Sequence, residues 1–412
     1  MNNQLIENDP FKNHENLPER HRISKIWHGS FFLSTTIGII SLTILLLSII
    51  NQAFGYAIIE NKVDPSELSA VPLNELSKEK LTQILNENVS KNRYKTIDRD
   101  TPIAKMTSGD LIHLITNEII EPTTVKSYFL LPSLFQTGQI MRTQQEEYPD
   151  AEIKFRSWLN WNFIRNSLST NPDTTGIRTA LFGSLWIILI TIIIAFPIGI
   201  GAAIYLEEYA SNSRLNRIIK TNIDNLAGVP SIVYGMLGLA VFVRSMNSFT
   251  SGAILGVDQT NGRTIISAAL TMGLLIMPLL IINAQEAIRA VPASLRQASY
   301  GLGATRLQTI WHHVLPFAMP GILTGTILAV SRAIGETAPL ILVGASSFIN
   351  KEPTGLFSNF TVLPIQIYNW TTRPQAEFRN VSAAAILVLL IVLLSLNTIA
   401  IVLRNRFAKK QG

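Results

Sequence analysis

The sequence predicts an all-α integral membrane protein with six transmembrane helices and an extracytoplasmic insert between the first and the second. Three observations carry that expectation. Apolar residues make up 47% of the 412 residues and charged residues only 15%, and the apolar residues gather in blocks of about twenty, the length of helix that crosses a bilayer core. Basic residues sit at the ends of those blocks, as membrane topology requires. One long polar stretch, 51–178, separates the first block from the others.

The first block is 31–50, which contains no charge and follows a polar segment carrying Asp9, Glu15, Glu19, Arg20, Arg22 and Lys25. Ala53-Phe54-Gly55 has the small-x-small form of a signal cleavage site. The apolar run is too long for a signal core, however, and its leader is too long and too mixed in charge. An uncleaved first span is expected. Further spans are expected at 180–206, 229–243, 264–283, 320–345 and 381–403; the third is short and its start can be drawn back toward Ile223.

Arg20, Arg22 and Lys25 precede the first span, and Arg214, Arg217 and Lys220 follow the second. Arg289, Arg296 and Arg306 follow the fourth, and Arg404, Arg406, Lys409 and Lys410 follow the sixth. Alternating spans put all of these on one side, which the positive-inside rule makes the cytoplasm. Both termini are then cytoplasmic. The expected organisation is a cytoplasmic segment 1–30, a first span 31–50, an insert 51–178, a five-helix domain 179–405 with a cytoplasmic loop at 284–319, and a tail 406–412.

The insert carries charges of both signs, several prolines and helical-looking runs such as 109–120. Long loops translocate regardless of charge, and one of this length is too long for an unstructured connection in a compact protein. A small folded module on the outer mouth is expected, with a partly ordered spacer as the alternative.

Composition also excludes classes of function. The net charge of +6 would suit nucleic acid, but the bases form no single patch, so the expected environment is membrane lipid. The absence of cysteine removes disulfides, thiolate metal sites and a cysteine nucleophile. There is no Gly-x-x-x-x-Gly-Lys-Ser/Thr phosphate loop, no metal-ligand cluster and no nucleophile with a base at motif spacing. His312 and His313 are adjacent, so on a helix they point about 100° apart and read as ordinary loop residues. Neither cofactor nor catalytic residue is expected, and energy must come from another chain or an ion gradient.

The loop around 297–316 bears on that choice. Pro292 can start a helix, the following residues 293–299 favour one, and Gly301 and Gly303 permit a sharp turn and close approach by another backbone. Leu315-Pro316 is expected to break the next segment. A short cytoplasmic helix ended by glycine is a natural handle for a partner, or a mere connector.

Here the sequence resembles the coupling loop of binding-protein-dependent ABC importers, whose pattern is Glu-Ala-Ala, three residues, Gly, nine residues, Ile, one residue, Leu-Pro. This chain has Gln297-Ala298-Ser299, Gly303, His313 and Leu315-Pro316 at that spacing, with Gln, Ser and His standing for Glu, Ala and Ile. Gly301 and Ala304 lie in the same turn. The resemblance extends to Asn225-Leu226-Ala227-Gly228-Val229-Pro230 with Ser231-Ile232-Val233-Tyr234-Gly235, to Gly176-Ile177-Arg178, and to Ala202 through Ala210. Ser331-Arg332-Ala333-Ile334-Gly335-Glu336-Thr337-Ala338-Pro339-Leu340 is similar to the PstA type of phosphate permease, whereas the PstC type usually continues Gly-Glu-Thr-Met. It covers about 160–405 and the first span, and leaves out the insert.

The resemblance implies the type I ABC importer permease fold and a subunit that makes no covalent chemistry. It implies a homologous PstC-like permease, a PstB-like ATP-binding dimer docked on the loop, and a soluble PstS-like phosphate-binding protein outside. Permeases for other oxyanions share the same outline.

The segment at Arg332 can also be read directly. Arg332 lies twelve residues beyond Pro320, roughly 18 Å along a helix, near the middle of the fifth span, where a charge costs at least about 2.5 kcal/mol. Glu336 is one turn further and can pair with it, with Thr337 beside it. Such charges face a pathway or lock two helices together, and a guanidinium fork suits a tetrahedral oxyanion. Ser231, Gly235 and Gly238 suit close helix packing, and Tyr234 reads as packed. Two rival classes remain: a secondary transporter, which should show duplicated halves, and a membrane receptor with an outer sensing module, which should carry a larger cytoplasmic domain.

Overall fold

The computed structural model describes residues 17–409 other than 70, 101, 104–105, 257–261, 346–348 and 350–351. Asp9, Glu15 and Lys410 therefore lie outside the described residues, as do most of the expected N-terminal segment and the end of the tail. The chain divides into two units, Met1–Asn51 and Gln52–Gly412.

The described part of the first unit, from Leu17 onward, belongs to one helix, α1 (Leu17–Ala53). Its stretch Arg20–Ala53 is long and apolar enough to cross a membrane. Phe31, Phe32, Ile39 and Leu42 are all exposed, the condition of a helix whose side chains face lipid or another helix.

The second unit opens with β1 (Phe54–Glu60), the centre of a three-stranded antiparallel sheet with β2 (Thr123–Ser127) on one side and β3 (Glu152–Ser157) on the other. Ala57 opposes Ser127, and Ile58 opposes Ile153. A chain that is otherwise helical thus carries a small sheet in its insert, because Tyr56-Ala57-Ile58-Ile59 is a short β-prone run with no helical periodicity. Between β1 and β2, helices Lys78–Asn88 and Ser108–Ile115 enclose a core of Leu81, Leu85, Leu111 and Ile115, each 0% exposed. The run expected to be helical at 109–120 is helical, its last turn widening to a π-turn over Thr116–Ile120. The insert is a folded module, and Trp158 and Phe163 bury it against Trp370 and Phe378 of the bundle.

The bundle begins with α2 (Arg178–Ile204). Its buried positions Ala180, Gly183, Ile187, Thr191, Ala195, Gly199 and Ala203 recur at three- and four-residue spacing, a stripe on one face. That stripe packs on α5 (Ile265–Arg289), the most buried of the long helices. Pro197 and Pro278 lie inside these helices, as neighbouring helices in a membrane protein permit.

The expected third span, 229–243, falls on the helical segment Ser231–Ser245. α3 (Arg214–Ala227) meets the segment Ser231–Ser245, which starts as α4 (Ser231–Gly238), at a bend of 106°. Pro230 favours the break, since the residue before a proline is driven out of the helical region; a start near Ile223 would make the bent pair a single broken span. α4 makes the close contacts expected of its small residues. A Cβ on Gly235 would lie 2.6 Å from the Pro339 Cα, and one on Gly238 would lie 2.2 Å from the Thr271 hydroxyl. Tyr234 is packed, as read, with its hydroxyl donating to the Leu226 carbonyl at 2.8 Å.

Two expectations about the fifth span are corrected. After α6 (Ala293–Gly301), helix continues from Arg306 to Gly335 without interruption at Pro316. A π-turn over Ile310–Val314 comes just before α7 (Leu315–Gly335). There Leu315 N–H donates to the Ile310 carbonyl, one residue further back than in an α-helix, immediately before the proline. The helix also stops at Gly335 instead of running to 345. Glu336 is extended, and a separate short helix, α8 (Ala338–Val343), follows. After α9 (Leu363–Thr371), α10 (Glu377–Lys409) completes the set. Among the described residues, five helices are long and apolar enough to cross a membrane, six if the bent pair counts as one span.

Candidate functional site

The residues singled out in the sequence fall at two places in the bundle. The first is the junction at the ends of α2 and α5. α5 ends at Arg289, Pro292 caps α6, and Gly303 reverses the chain with φ +84°. Gly303 N–H donates to the Tyr300 carbonyl at 2.9 Å, and Thr305 with Gln308 forms a capping box that restarts the helix. Ser299 and Thr309 are buried, with their hydroxyls 2.9 Å apart, and tie the two arms of the loop together.

Gln297, Ala298, Gly301 and Gly303 are exposed, and Ala304 is half-buried. Only Gly303 takes the left-handed conformation; Gly301 is the last residue of α6. A Cβ on either glycine would meet nothing within 4 Å, so among the described residues no other segment crowds them and their outer faces are open. Leu302 is 90% exposed, and Leu307 and Trp311 are exposed beside it. Leu315 and Pro316 lie further in, within the continuous helix.

The basic residues of this junction do more than mark topology. A π-turn over Tyr205–Tyr209 ends the α2 segment and presents Glu207, Glu208 and Tyr209 to the loop. Arg296 donates to Glu208 at 2.7 and 3.0 Å, and also to the carbonyls of Val291 at 2.7 Å and Ile288 at 2.8 Å. Arg289 pairs with Glu207, and Arg306 lies over the Tyr209 ring at 5.6 Å. α6 is thereby bolted to the end of the α2 segment, to the Ile288 carbonyl in the last turn of α5 and to the Val291 carbonyl just beyond it. Sequence reading missed this arrangement, although two adjacent acids at the basic end of an apolar block were a signal for it.

The second place is the end of α7. A Cβ on Gly321 would lie 2.8 Å from the Ala287 Cβ, and one on Gly325 would lie 2.3 Å from the Asn283 Cβ. This antiparallel register, continued, sets Arg332 level with residue 276, halfway along α5. The arginine is therefore at the end of its own helix and yet at mid-depth of the bundle. Its Nε donates to Glu336 Oε1 at 3.3 Å, and no other hydrogen bond joins its guanidinium to a described residue. The Arg332 side chain is 46% exposed within this chain and that of Glu336 is 21%. Thr337 is half-buried, its hydroxyl 3.5 Å from the Gly335 carbonyl. Ser331 faces the other way and donates to Asn397 of α10 at 2.7 Å. About 40 Å of α2, by helix rise, separates the insert end of the bundle from the loop junction.

Comparisons with known proteins identify the family of this chain. Residues 195–411 match the family described as binding-protein-dependent transport system inner membrane component. The chain is 38% identical over 246 residues to the phosphate transport system permease protein PstA 1 of Mycobacterium tuberculosis (strain CDC 1551 / Oshkosh), an alignment spanning 59% of this chain and 75% of that protein. It is 33% identical over 254 residues to the probable ABC transporter permease protein YqgI of Bacillus subtilis (strain 168), covering 58% and 82%. Among solved structures, a bacterial alginate ABC transporter aligns over 74% of this chain and 95% of that one, with 14% identity and a TM-score of 0.44. The resemblance to PstA-type permeases is thus borne out. The chain belongs to the binding-protein-dependent transport system inner membrane component family, as a multi-pass permease subunit of an ABC importer.

Proposed function

We propose that this chain is the PstA-type subunit of an ATP-driven importer of inorganic phosphate. The observation that carries the reading is Arg332, a charge at mid-depth with one of its five N–H donors engaged. A planar guanidinium with free donors suits a tetrahedral oxyanion, and Glu336 and Thr337 stand beside it as counter-charge and hydroxyl. Glu336 keeps the station weak, so phosphate pauses there and leaves.

In this reading the pathway lies between this chain and a homologous PstC-like permease. A PstS-like binding protein delivers phosphate from outside, and a PstB-like ATPase pair works from the cytoplasm, where both termini of this chain lie. Exposed Gln297, Ala298, Gly301 and Gly303, with Leu302 projecting between them, form the surface on which the ATPase docks. Ala304, Ser299, Leu315 and Pro316 shape that surface from behind. The bolted junction of α6 with α2 and α5 carries ATPase movement into the bundle as a rigid-body motion. The chain itself makes no covalent chemistry and holds no cofactor, and its membrane is the bacterial inner membrane.

The test is uptake into vesicles holding the four-component complex, with labelled phosphate set against arsenate, sulfate and molybdate. ATP-dependent phosphate uptake is expected, reduced at least about tenfold by Arg332→Gln, the scale of one lost charge-assisted hydrogen bond. Uptake of sulfate or molybdate without phosphate would reassign the substrate to another oxyanion. Full uptake by an assembled Arg332→Gln complex would end the role given to that residue.

A further inference from the structure

A polar cavity of about 290 Å³ lies between α3, the end of the α2 segment and the end of α5. Ser213, Asn216, Arg217 and Lys220 line it from one face of α3, at the spacing of successive helical turns. Glu207, Gln285 and Arg289 line it from the other side. Arg289 is paired with Glu207, which leaves Arg217 and Lys220 as the charges that set the sign of the cavity. Both are exposed, and neither makes an ion pair with a described residue.

Two further features favour an anion. The fourteen-residue α3 begins here, with Ser213 as its cap, so its positive end contributes to the field. Independently, Gln285 is only 4% exposed, and its Nε2 has no hydrogen-bond partner among the described residues. A buried amide N–H without a partner costs of the order of the lost hydrogen bond, and here the residue that carries it lines a cationic cavity. An acceptor oxygen bound in the cavity would supply what the described residues do not.

We infer that this cavity binds a phosphate group, held by Arg217 and Lys220 with Gln285 as the neutral donor. Two sources offer that chemistry. One is free orthophosphate on the side where the basic loops lie. The other is the headgroup of an anionic phospholipid, since Leu215, Ile218 and Leu226 of α3 are exposed, as on a helix lying in a membrane interface. With either source the ligand sits against the Arg289–Glu207 pair, and so ties α3 to the loop junction.

The experiment uses the assembled importer without its binding protein, on an Arg332→Gln background so that the mid-bundle station contributes nothing. In nanodiscs of phosphatidylcholine, inorganic phosphate is titrated against the thermal midpoint, with chloride at matched ionic strength as control. In a parallel arm, nanodiscs containing phosphatidylglycerol are dissolved and the retained lipid is read by native mass spectrometry. A saturable phosphate shift identifies free phosphate as the ligand, and retained phosphatidylglycerol identifies the headgroup; either result supports the site. Arg217→Gln with Lys220→Gln is expected to weaken the signal at least about tenfold. Gln285→Leu, which removes the amide but keeps its bulk, is expected to weaken it too. No signal in either arm, or a signal that survives both sets of substitutions, overturns the proposal.

Discussion

Two arginine–glutamate pairs in this bundle use the same chemistry to opposite ends. Arg296 is 20% exposed, Glu208 is 8% exposed, and the guanidinium reaches a carboxylate and two backbone carbonyls. Arg332 is 46% exposed and makes one hydrogen bond with a described residue, at 3.3 Å. A buried charge with its donors committed holds parts together; one with its donors free is available to something that passes. The number of acceptors within reach, more than the identity of the pair, separates a bolt from a binding station.

The largest expected effect comes from breaking the bolt. Arg296→Met leaves Glu208 buried without its cation, and removing one member of a buried pair typically costs about 3–5 kcal/mol. The thermal midpoint of the purified importer in micelles should fall sharply, and adding Glu208→Leu should restore most of the loss. A midpoint that does not move would mean that the junction is held by packing alone.

Next is Arg332→Gln, which should abolish most uptake yet shift the same midpoint little, because only one long hydrogen bond is lost. Equal losses of stability and uptake would turn the station into a second bolt. Gly303→Ala forces an ordinary residue to φ +84°, a strain of more than about 1 kcal/mol. ATP hydrolysed per phosphate transported should rise, while Gly301→Ala, inside a helix and in open space, leaves the ratio unchanged.

The smallest effects are expected at exposed positions. Arg289→Gln breaks a pair in which the arginine is 55% exposed, and exposed pairs contribute about 1 kcal/mol or less. Thermal midpoints would separate it from Arg296→Met even though both arginines face adjacent glutamates. Gln297→Ala should alter the coupling ratio less than Gly303→Ala, since it removes one exposed amide without altering the turn.

Much of the fold was legible because membrane spans are written in composition. The blocks at 180–206, 264–283 and 381–403 correspond to α2, α5 and α10, and their basic ends marked the loops. The errors came at prolines and at a glycine-rich break. Pro316 was expected to stop a helix that in fact continues through it. Pro230 and Gly335-Glu336 stand where the backbone does turn. A local signal for a break cannot say whether a π-turn or neighbouring helices will absorb it.

The candidate residues divide in the same way. Arg332 and Glu336 could be paired from their spacing of four, and Gly303 from the need for a turn. The partners of Arg289 and Arg296 could not, because Glu207 and Glu208 lie over eighty residues away and nothing periodic links them. By itself the sequence determined which segments are apolar enough to cross a membrane, and hence the class of protein, since burying apolar length in lipid depends on composition alone. Only the tertiary structure decided which charges are committed and which are free, because that depends on distances between helices that meet only when the bundle packs.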